Sequence, residues 1–350
     1  MAGSSFGTLF RITTWGESHG PATGVVVEGC PPGIGLNQSM IQEALDKRKP
    51  GQTPASTSRK EPDIPEILSG LFQGKTTGTP IQILIRNQDA DSRAYEANAS
   101  AFRPGHGDIT YQAKYGIRDW RGGGRASARE TAARVAAGAV AQAFLDQFKI
   151  QVATYTIALG GIVATRFNPV AAKENRFVCP DPDAVDAMEQ RILEVKKQGD
   201  SIGGVVEIRV HNVPAGLGEP VFDKLDADIA KALMSIGAVK AVEIGAGCSA
   251  TAMTGFENND QILESGFETN NSGGILAGIS NGDTIIARAH VKPIPSIVRS
   301  QQTLDEYGNC IEISTRGRHD VSAIPRINPV CSAMMLLVIA DHLLRQKAVR

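Results

Sequence analysis

Three of the six histidines in this chain of 350 residues lie in segments that could support proton transfer. These segments are rich in glycine and arginine: Gly16-Glu-Ser-His-Gly20, Phe102-Arg-Pro-Gly-His106 and Arg316-Gly-Arg-His-Asp320. Histidine titrates near neutral pH, so it is the usual donor of a proton to a departing phosphate and can also support a ring nitrogen. A single histidine is more often structural, but three in similar loops favour one shared site. Ser18 beside His19 does not alone make a nucleophile–base pair, because such a pair is built across the fold.

The other three histidines give weaker signals. His211 and His290 lie in strand-like stretches and are interpreted as structural. His342 follows Asp341 in an apolar C-terminal helix, where we expect a surface position.

A glycine-rich loop leads into a helix at Gly122-Gly-Gly-Arg-Ala-Ser-Ala-Arg-Glu-Thr131. Ser127 and Glu130 have the spacing of a capping box, which marks a helix start. The first turn of a helix offers free backbone amides and a positive dipole end to an anion. Arg125 and Arg129 add guanidinium groups suited to phosphate or carboxylate. The alternative is a plain capped helix after a flexible loop, and the two nearby arginines favour a site over it.

Positive charge is clustered although the net charge is only -1. This balance argues against general attraction to nucleic acid and favours a small anionic ligand. Three groups carry the charge: Lys47, Arg48, Lys49, Arg59 and Lys60; Arg103, Lys114, Arg118, Arg121, Arg125, Arg129 and Arg134; and Arg316, Arg318 and Arg326. Any one of these arginines could equally be a solvated surface charge.

Composition sets the class of protein. Hydrophobic residues make up 42% and charged residues 21%, as in ordinary globular proteins, so a packed core is expected. The five cysteines are odd in number and form no Cys-x-x-Cys pair, which favours a reducing compartment and argues against a disulfide framework or a metal site. Residues 1–16 lack a secretory signal, and the apolar run 333–340 is too short to cross a membrane. We therefore expect a cytoplasmic protein that spans no membrane.

The order of elements repeats along the chain. Strands are predicted at 23–28 and 205–210, helices at 38–47 and around 229–233, and a long loop over 87–124. Four pairs of segments recur in order: 30–35 with 213–218, 41–45 with 229–233, 67–76 with 275–284, and 103–106 with 316–319. The third pair makes Gly70 and Gly278 equivalent. We interpret one domain over 1–350 with an internal repeat, about 20–148 and 200–346, and a bridge over 149–199 outside the repeated core. The rival interpretation is that strands and glycine turns recur through composition alone.

Taken together, the motifs resemble those of the chorismate synthase family. The resemblance runs from Phe6 to about Gln346 and includes the segments quoted above, Gly199-Asp-Ser-Ile-Gly203, Pro214-Ala-Gly-Leu-Gly-Glu-Pro220 and Arg318-His-Asp320. It implies an α/β (α+β) fold, a β-α-β sandwich of two duplicated halves with helices packed between the sheets. It also implies a cytoplasmic homotetramer.

The resemblance further implies a lyase of the shikimate pathway, which leads to the aromatic amino acids. Its members convert 5-enolpyruvylshikimate 3-phosphate to chorismate by anti 1,4-elimination of phosphate and a ring hydrogen. Reduced FMN is required without net redox change, and the protein supplies placement and electrostatics. An external flavin reductase is then the expected source of reduced flavin, with NADPH only as an indirect reductant.

Site residues are carried over by position. His19 resembles the residue that protonates the leaving phosphate, His106 the one that supports the reduced flavin, and Asp320 with Ser18 a relay for a flavin proton. The FMN contacts match Arg125, Ala126, Ser127, Gly237, Ala238, Ala277, Lys292, Pro293, Ile294, Pro295, Ser296 and Arg318. Substrate contacts are assigned to Arg48, Arg103 and Arg129, and Arg48 is also the candidate NADP contact.

The sequence departs from the family pattern in three places. Pro54 stands where many relatives have arginine, which puts an NADPH contact in doubt. Gly237 and Ala277 replace the usual asparagine and glycine, with little effect if those contacts are through the backbone.

Two alternatives to this function remain at this stage. One is a phosphate-handling lyase or transferase without flavin, which would bind no FMN. The other is a regulatory protein that binds a nucleotide or phosphate, in which changing His19 or His106 would leave the biological activity intact.

Overall fold

Two five-stranded antiparallel sheets organise the chain in the computed structural model, which describes residues 3–49, 62–88, 96, 99–315 and 320–349. The first sheet has the order β1-β2-β3-β7-β4, with β1 Ser5–Phe6, β2 Arg11–Gly16, β3 Ala22–Glu28, β4 Pro65–Ile67 and β7 Ile81–Arg86. The second has the order β11-β16-β10-β8-β9, with β8 Gln151–Leu159, β9 Ile162–Val163, β10 Gly204–His211, β11 Val239–Ile244 and β16 Ile285–Val291.

Short hairpins and helices complete the described residues. The hairpins pair β5 Leu71–Phe72 with β6 Lys75–Thr76, β12 Ile262–Leu263 with β13 Gly266–Phe267, β14 Ile275–Leu276 with β15 Ile279–Ser280, and β17 Gln301–Leu304 with β18 Cys310–Ile313. The helices are α1 Gln38–Arg48, α2 Asp108–Tyr115, α3 Thr131–Leu145, α4 Pro169–Glu174, α5 Pro182–Lys197, α6 Leu225–Met234, α7 Gly255–Asn258 and α8 Ile324–Val349. The long loop expected over 87–124 thus contains α2, which ends at Gly116 with a φ of +72°.

Side-chain alternation explains the sheets. In β7, Ile81, Ile83 and Ile85 are fully buried while the residues between them are partly exposed, the period-two pattern of a strand with one face on a core. Val25 and Val27 give β3 the same buried face. The helices pack on these faces, since α3 contacts β2, β3 and β7 while α8 contacts β8 and β10. The prediction of an α/β fold with helices packed between sheets is confirmed.

The two central helices, α3 and α8, cross at very close range. A Cβ atom placed on Gly138 would lie 2.5 Å from the Cβ of Ala333, which is too short for two carbon atoms. Glycine in mid-helix usually costs about 1 kcal/mol relative to alanine. Here it permits the two backbones to approach.

Helix α8 is long and apolar, yet it is a core element of this fold. It meets the length and hydropathy criteria for a membrane span, but 83% of its most apolar window is buried inside the protein. His342, expected at the surface, is 1% exposed, and its Nε2 lies 3.0 Å from the Asp228 carboxylate. That expectation was wrong because this helix is covered on several sides by other elements.

The carboxylate of Asp341 in α8 ties the start of the chain to its end. Its Oδ1 accepts hydrogen bonds from the backbone amides of Thr8, Leu9 and Phe10 at 3.0, 2.6 and 2.8 Å. Charge-assisted hydrogen bonds of this kind are stronger than neutral ones. They fix the segment before β2 against the C-terminal helix.

The two sheets share one order of elements. The first half runs β2-β3-α1-β4-β7-α3 with sheet order β2-β3-β7-β4, and the second runs β8-β10-α6-β11-β16-α8 with sheet order β8-β10-β16-β11. A duplicated unit would produce this match, and duplication stays our interpretation. One boundary must change: β8 lies in the bridge expected over 149–199 but pairs along β10, so a repeated unit has to include it.

Matching hydrogen bonds relate Thr76 to Ser280. The Thr76 hydroxyl donates to Pro31 O at 2.6 Å and accepts from Ile34 N at 2.9 Å. The Ser280 hydroxyl donates to Pro214 O at 2.7 Å and accepts from Leu217 N at 2.9 Å. The same hydroxyl clamp therefore closes the turn after the second strand of each half.

This clamp corrects the register expected from sequence. With Thr76 equivalent to Ser280, Gly70 corresponds to Gly274 and not to Gly278. The backbone agrees, because Thr77 N donates to Gly70 O and Asn281 N donates to Gly274 O, both at 3.0 Å. The sequence alignment was wrong by four residues because both segments contain two apolar residues, one further residue and then glycine.

We predict that Thr76→Val destabilises the protein because it leaves the buried Ile34 amide and Pro31 carbonyl without their partner. The loss should be about 1–3 kcal/mol in the free energy of unfolding, measured by urea denaturation. Thr76→Ser is the control, since Ser280 makes the same clamp with a serine, and it should stay within about 1 kcal/mol of wild type. Equal losses in the two variants would contradict this role for the hydroxyl.

Candidate active site

Loops from both halves of the chain meet beside the N-terminus of α3. They are the loop after β2, the segments 99–107 and 119–130, and the segment 292–296 after β16. Contacts between them bring together most of the residues that the sequence predicted: Ser18, His19, Arg103, His106, Arg125, Ala126, Ser127, Lys292, Pro293, Ile294, Pro295 and Ser296.

The first histidine, His19, lies on the glycine-rich loop. Its Nδ1 is 3.1 Å from the hydroxyl of Ser18, a side chain that is only 2% exposed. A Cβ atom on Gly122 would lie 2.2 and 2.3 Å from the imidazole Cε1 and Nδ1. Glycine at this position, with a φ of +65°, is therefore what allows the ring to lie there.

The second histidine, His106, joins the two halves. Its Nε2 lies 2.9 Å from the Ser296 hydroxyl and its Nδ1 lies 3.2 Å from Pro104 O. Burial lowers the pKa of His106 to about 4, with a further contribution from the Arg103 guanidinium. The ring is therefore neutral at pH 7, with Nδ1–H donating to the carbonyl and Nε2 accepting from serine.

The segment around His106 is also held by a lysine. Lys292 Nζ donates to Gly105 O at 2.8 Å, and a Cβ on Gly105 would lie 2.8 Å from Pro295 Cβ. On its other side, Lys292 N donates to Ala238 O at 2.9 Å. This places Gly237 and Ala238 next to the segment 292–296.

Arg125 binds the end of β2. Its Nη2 donates to the Thr14 hydroxyl at 2.7 Å and to Thr14 O at 3.2 Å, and its Nη1 donates to Gly16 O at 3.2 Å. Ser127 caps the short helix that precedes α3 by accepting from Arg129 N at 3.3 Å. The predicted capping box does not form, because the Glu130 carboxylate accepts from Thr14 and Arg134 instead, and α3 itself begins four residues after Ser127.

Two predicted substrate arginines share one carboxylate. Arg48 Nη2 donates to Asp63 at 2.5 Å, and Arg129 Nη1 donates to the other oxygen of the same carboxylate. Burial alone would raise the pKa of Asp63, but the two guanidinium groups hold it below its usual value. Arg48 is 1% exposed, and burial lowers its pKa to about 10, so it stays charged at neutral pH.

Arg103 has a carboxylate of its own. Its Nε and Nη2 donate to the two oxygens of Asp108 at 2.8 Å each, and its backbone N donates to the same carboxylate at 3.0 Å. Such a two-point contact fixes the plane of the guanidinium group. Arg103 also lies beside Gly123, whose Cβ would be 3.5 Å from Nη2.

Asp320 lies at the start of α8. Its carboxylate accepts from Arg326 Nη1 at 2.8 Å, and the charge of Arg326 contributes to the low pKa of Arg48. Arg318, assigned to FMN, and His319, the second histidine of the repeated motif, lie outside the described residues.

Ala277 stands apart from the other predicted FMN residues. It lies in the turn between β14 and β15, with a φ of +50°, and Ser280 of this hairpin bonds to Leu217 beyond the end of β10. Lys292 follows the other end of the second sheet, where Val291 pairs with Gly204. Within one chain the structure does not bring Ala277 to the segment 292–296.

Sequence reasoning missed the residues that hold the predicted ones. Asp63, Asn87 and Asp108 each accept a hydrogen bond from an arginine. Glu17 lies against Gly124, and burial raises its pKa. A buried-charge argument could have found them, because each buried arginine in a predicted site requires an acceptor.

The arrangement can bind anions and transfer protons. It offers several guanidinium groups, a lysine and a glycine-rich turn around one histidine that contacts serine and another that is held neutral. No group of three or more histidine, cysteine or acidic side chains with metal-site geometry occurs among the residues placed by the structure.

Comparison with known proteins gives one family throughout. The family model for chorismate synthase matches residues 10–344. A chorismate synthase of Desulfosudis oleivorans is 65% identical over 350 residues, covering 100% of this chain and 99% of that protein. One from Syntrophus aciditrophicus is 58% identical over 352 residues, covering 100% and 99%. A crystal structure of a chorismate synthase superposes with a TM-score of 0.78 at 33% identity, covering 97% of this chain and 93% of the other.

We predict that Gly122→Ala lowers turnover by about 10- to 100-fold because the new methyl group displaces the His19 ring. The matched control is Gly116→Ala: it has a similar φ of +72° but nothing within 4 Å of the added atom. Both variants should lose about 1–2 kcal/mol of stability through backbone strain. A comparable fall in turnover for both would show that strain, not contact with His19, is responsible.

Proposed function

The chain belongs to the chorismate synthase family, and we propose that it converts 5-enolpyruvylshikimate 3-phosphate to chorismate and phosphate. Family membership makes it a lyase of the shikimate pathway. In the proposed reaction, the C–O bond to phosphate and a ring C–H bond break on opposite faces, and a new double bond forms in the ring. One observation supports the proposal: the loops of His19 and His106 lie together with the segments that carry Arg103, Arg125 and Arg129.

The arginines suit the charges of this substrate. It carries one phosphate and two carboxylates, and guanidinium groups can bind such groups at two points. Arg129 and Arg103 are already fixed by Asp63 and Asp108, so little order has to be created on binding. Arg48 is too buried to be reached directly, so we assign its effect to the charge it contributes and to its hold on Asp63.

His19 is proposed to protonate the leaving phosphate. In its imidazolium form, Nδ1–H can donate to the Ser18 hydroxyl at 3.1 Å, which fixes the ring plane. We therefore assign proton transfer to the phosphate oxygen to Nε2. Ser18 and Asp320 are proposed to handle the second proton, which leaves the ring of the substrate.

The residues around His106 fit a phosphorylated flavin. Arg125 and Lys292 supply positive charge, and Ser127 and Ser296 supply hydroxyl groups. In the turn at residues 122–124, Gly122 packs on His19 and Gly124 on Glu17, and the middle glycine has room beside it. We propose that these residues, with Ala126, Gly237, Ala238, Pro293, Ile294, Pro295 and Arg318, hold reduced FMN. When bound, the reduced flavin supplies reducing chemistry that is returned by the end of the reaction. His106, held neutral, would offer an uncharged imidazole beside it.

The setting proposed for this reaction is a cytoplasmic homotetramer. Reduced flavin would come from an external flavin reductase, with NADPH only as an indirect reductant. The NADP contact assigned to Arg48 from the sequence meets the same obstacle as its substrate contact, because the side chain is 1% exposed. Pro54, which bears on that contact, lies among the residues that the structure does not describe.

We predict that one equivalent of chemically reduced FMN supports many turnovers in the absence of oxygen, because no net oxidation occurs. The measurement is chorismate formed per FMN oxidised, followed by absorbance under anaerobic conditions. Oxidation of one flavin per chorismate would overturn the proposal. Turnover without any flavin would favour a phosphate lyase that uses the same histidines and arginines alone.

We predict that His19→Ala and His106→Ala each lower kcat by about 10²- to 10⁴-fold, because each removes a different proton-handling group. FMN and substrate should still bind, as measured by flavin fluorescence and calorimetry. Because the pKa of His106 is about 4, His106 does not titrate between pH 5 and 8. Any break that the wild-type pH–rate profile shows in that range should therefore persist in a His106 variant. Turnover near the wild-type value in His19→Ala would reject its role.

A further inference from the structure

The side chain of Asn87 closes the loop that carries Ser18 and His19. Its Nδ2 donates to Glu17 O at 2.9 Å and to Gly20 O at 2.7 Å. These two carbonyls flank Ser18 and His19 on either side. The backbone N of Asn87 adds a third bond, to Pro21 O at 3.1 Å.

The orientation of this amide is set from behind by arginine. Arg129 Nε donates to Asn87 Oδ1 at 2.9 Å, which leaves the NH₂ group directed at the loop. Arg129 is itself held by Asp63, whose other oxygen accepts from Arg48 at 2.5 Å. Asp63 is fully buried and Arg48 is 1% exposed, so the pair has a fixed position in the core.

A continuous chain of hydrogen bonds thus runs from the core to the loop. It passes from Arg48 through Asp63, Arg129 and Asn87 to the carbonyls of Glu17 and Gly20. A proton donor must be held to within a fraction of an ångström of its productive position. Within the loop itself, the backbone bond from Gly20 N to Glu17 O is a longer one, at 3.2 Å.

We propose that Asn87 is a positioning residue for proton transfer by His19, and that the buried Arg48–Asp63–Arg129 cluster acts on the loop through Asn87. The proposal rests on the proposed function, in which His19 protonates the leaving phosphate. It assigns Arg129 a second role besides the binding of anions, and it assigns Arg48 a role through its hold on Asp63.

The test uses an isosteric change. Asn87→Asp keeps an acceptor for Arg129 but has no NH₂ group for the carbonyls of Glu17 and Gly20. We expect kcat to fall by about 10- to 100-fold, as for a misplaced catalytic group, while KM for the substrate changes by less than about 3-fold because Arg129 keeps its partner. Asn87→Ala should lose at least as much kcat and should also raise KM.

A second asparagine supplies the matched control. Asn175 Nδ2 donates to Ala171 O and Cys179 O, both at 2.8 Å, so it closes the loop after α4 in the same way. Asn175→Asp should lower Tm about as much as Asn87→Asp but leave kcat within about 2-fold of wild type. Wild-type kcat in Asn87→Asp, or an equal fall in both variants, would overturn the proposal.

Two further measurements separate this proposal from the function on which it rests. Amide hydrogen exchange at residues 16–20 should accelerate by about 10-fold or more in Asn87→Asp and not in Asn175→Asp, whatever the reaction. Unchanged exchange at these residues would show that Asn87 does not hold the loop, even if the enzyme is active. If wild type forms no chorismate with reduced FMN, the proposed function fails. The exchange result still decides whether Asn87 holds the loop.

The link to the core is tested by a double-variant cycle. Asp63→Asn should lower kcat, and combining it with Asn87→Ala should cost less than the product of the two single effects, because both act on one chain of contacts. Fully multiplicative effects would show that the cluster does not act through Asn87.

Discussion

The close crossing of α3 and α8 at Gly138 and Ala333 sets the distance between the two halves of the protein. Each helix packs on a different sheet, so their separation determines how far apart the loops at the ends of the sheets lie. The contacts of Lys292 with Gly105 and of Ser296 with His106 span the two halves. A wider crossing would separate these pairs, and a hydrogen bond does not survive a shift of more than a few tenths of an ångström beyond its usual length. The active site is therefore a consequence of helix packing in the core.

The charges of the site are arranged before any ligand arrives. Arg48, Arg103 and Arg129 are each at most 8% exposed, and each is bound to a buried aspartate. Removing a charge from water is costly, and a pair repays the cost only when its hydrogen bonds are nearly complete. These ion pairs also favour binding, because arginines that are already oriented lose little entropy when an anion binds. His106 can lie near Arg103 without a counter-ion because its imidazole is neutral.

Local signals carried most of what the sequence could predict. The strands predicted at 23–28 and 205–210 match β3 and β10, and glycines beside arginines and histidines indicated the loops of the site, because each pattern is complete within about ten residues. Asp63 and Asn87 escaped notice because their partners lie 15 to 70 positions away. The equivalence of Gly70 with Gly278 failed for a similar reason: identity of neighbouring residues suggested one alignment, and the hydroxyl clamps of Thr76 and Ser280 impose another. Ala277 shows the limit of transfer by position, since one chain alone does not bring it to the other residues assigned to FMN.

The bond between Asp341 and the amides of Thr8, Leu9 and Phe10 has a consequence for biosynthesis. The residues it joins are more than 330 positions apart, so it cannot form until the ribosome has made α8. Helix α8 also supplies core residues to the second sheet and contacts α1 and α3 from the first half. The faces of α1 and α3 that contact α8 stay uncovered until α8 has been synthesised, so the first half cannot complete its packing on its own. The first sheet can pack against α3 during synthesis, but the resulting intermediate keeps an apolar helical surface exposed until α8 is available.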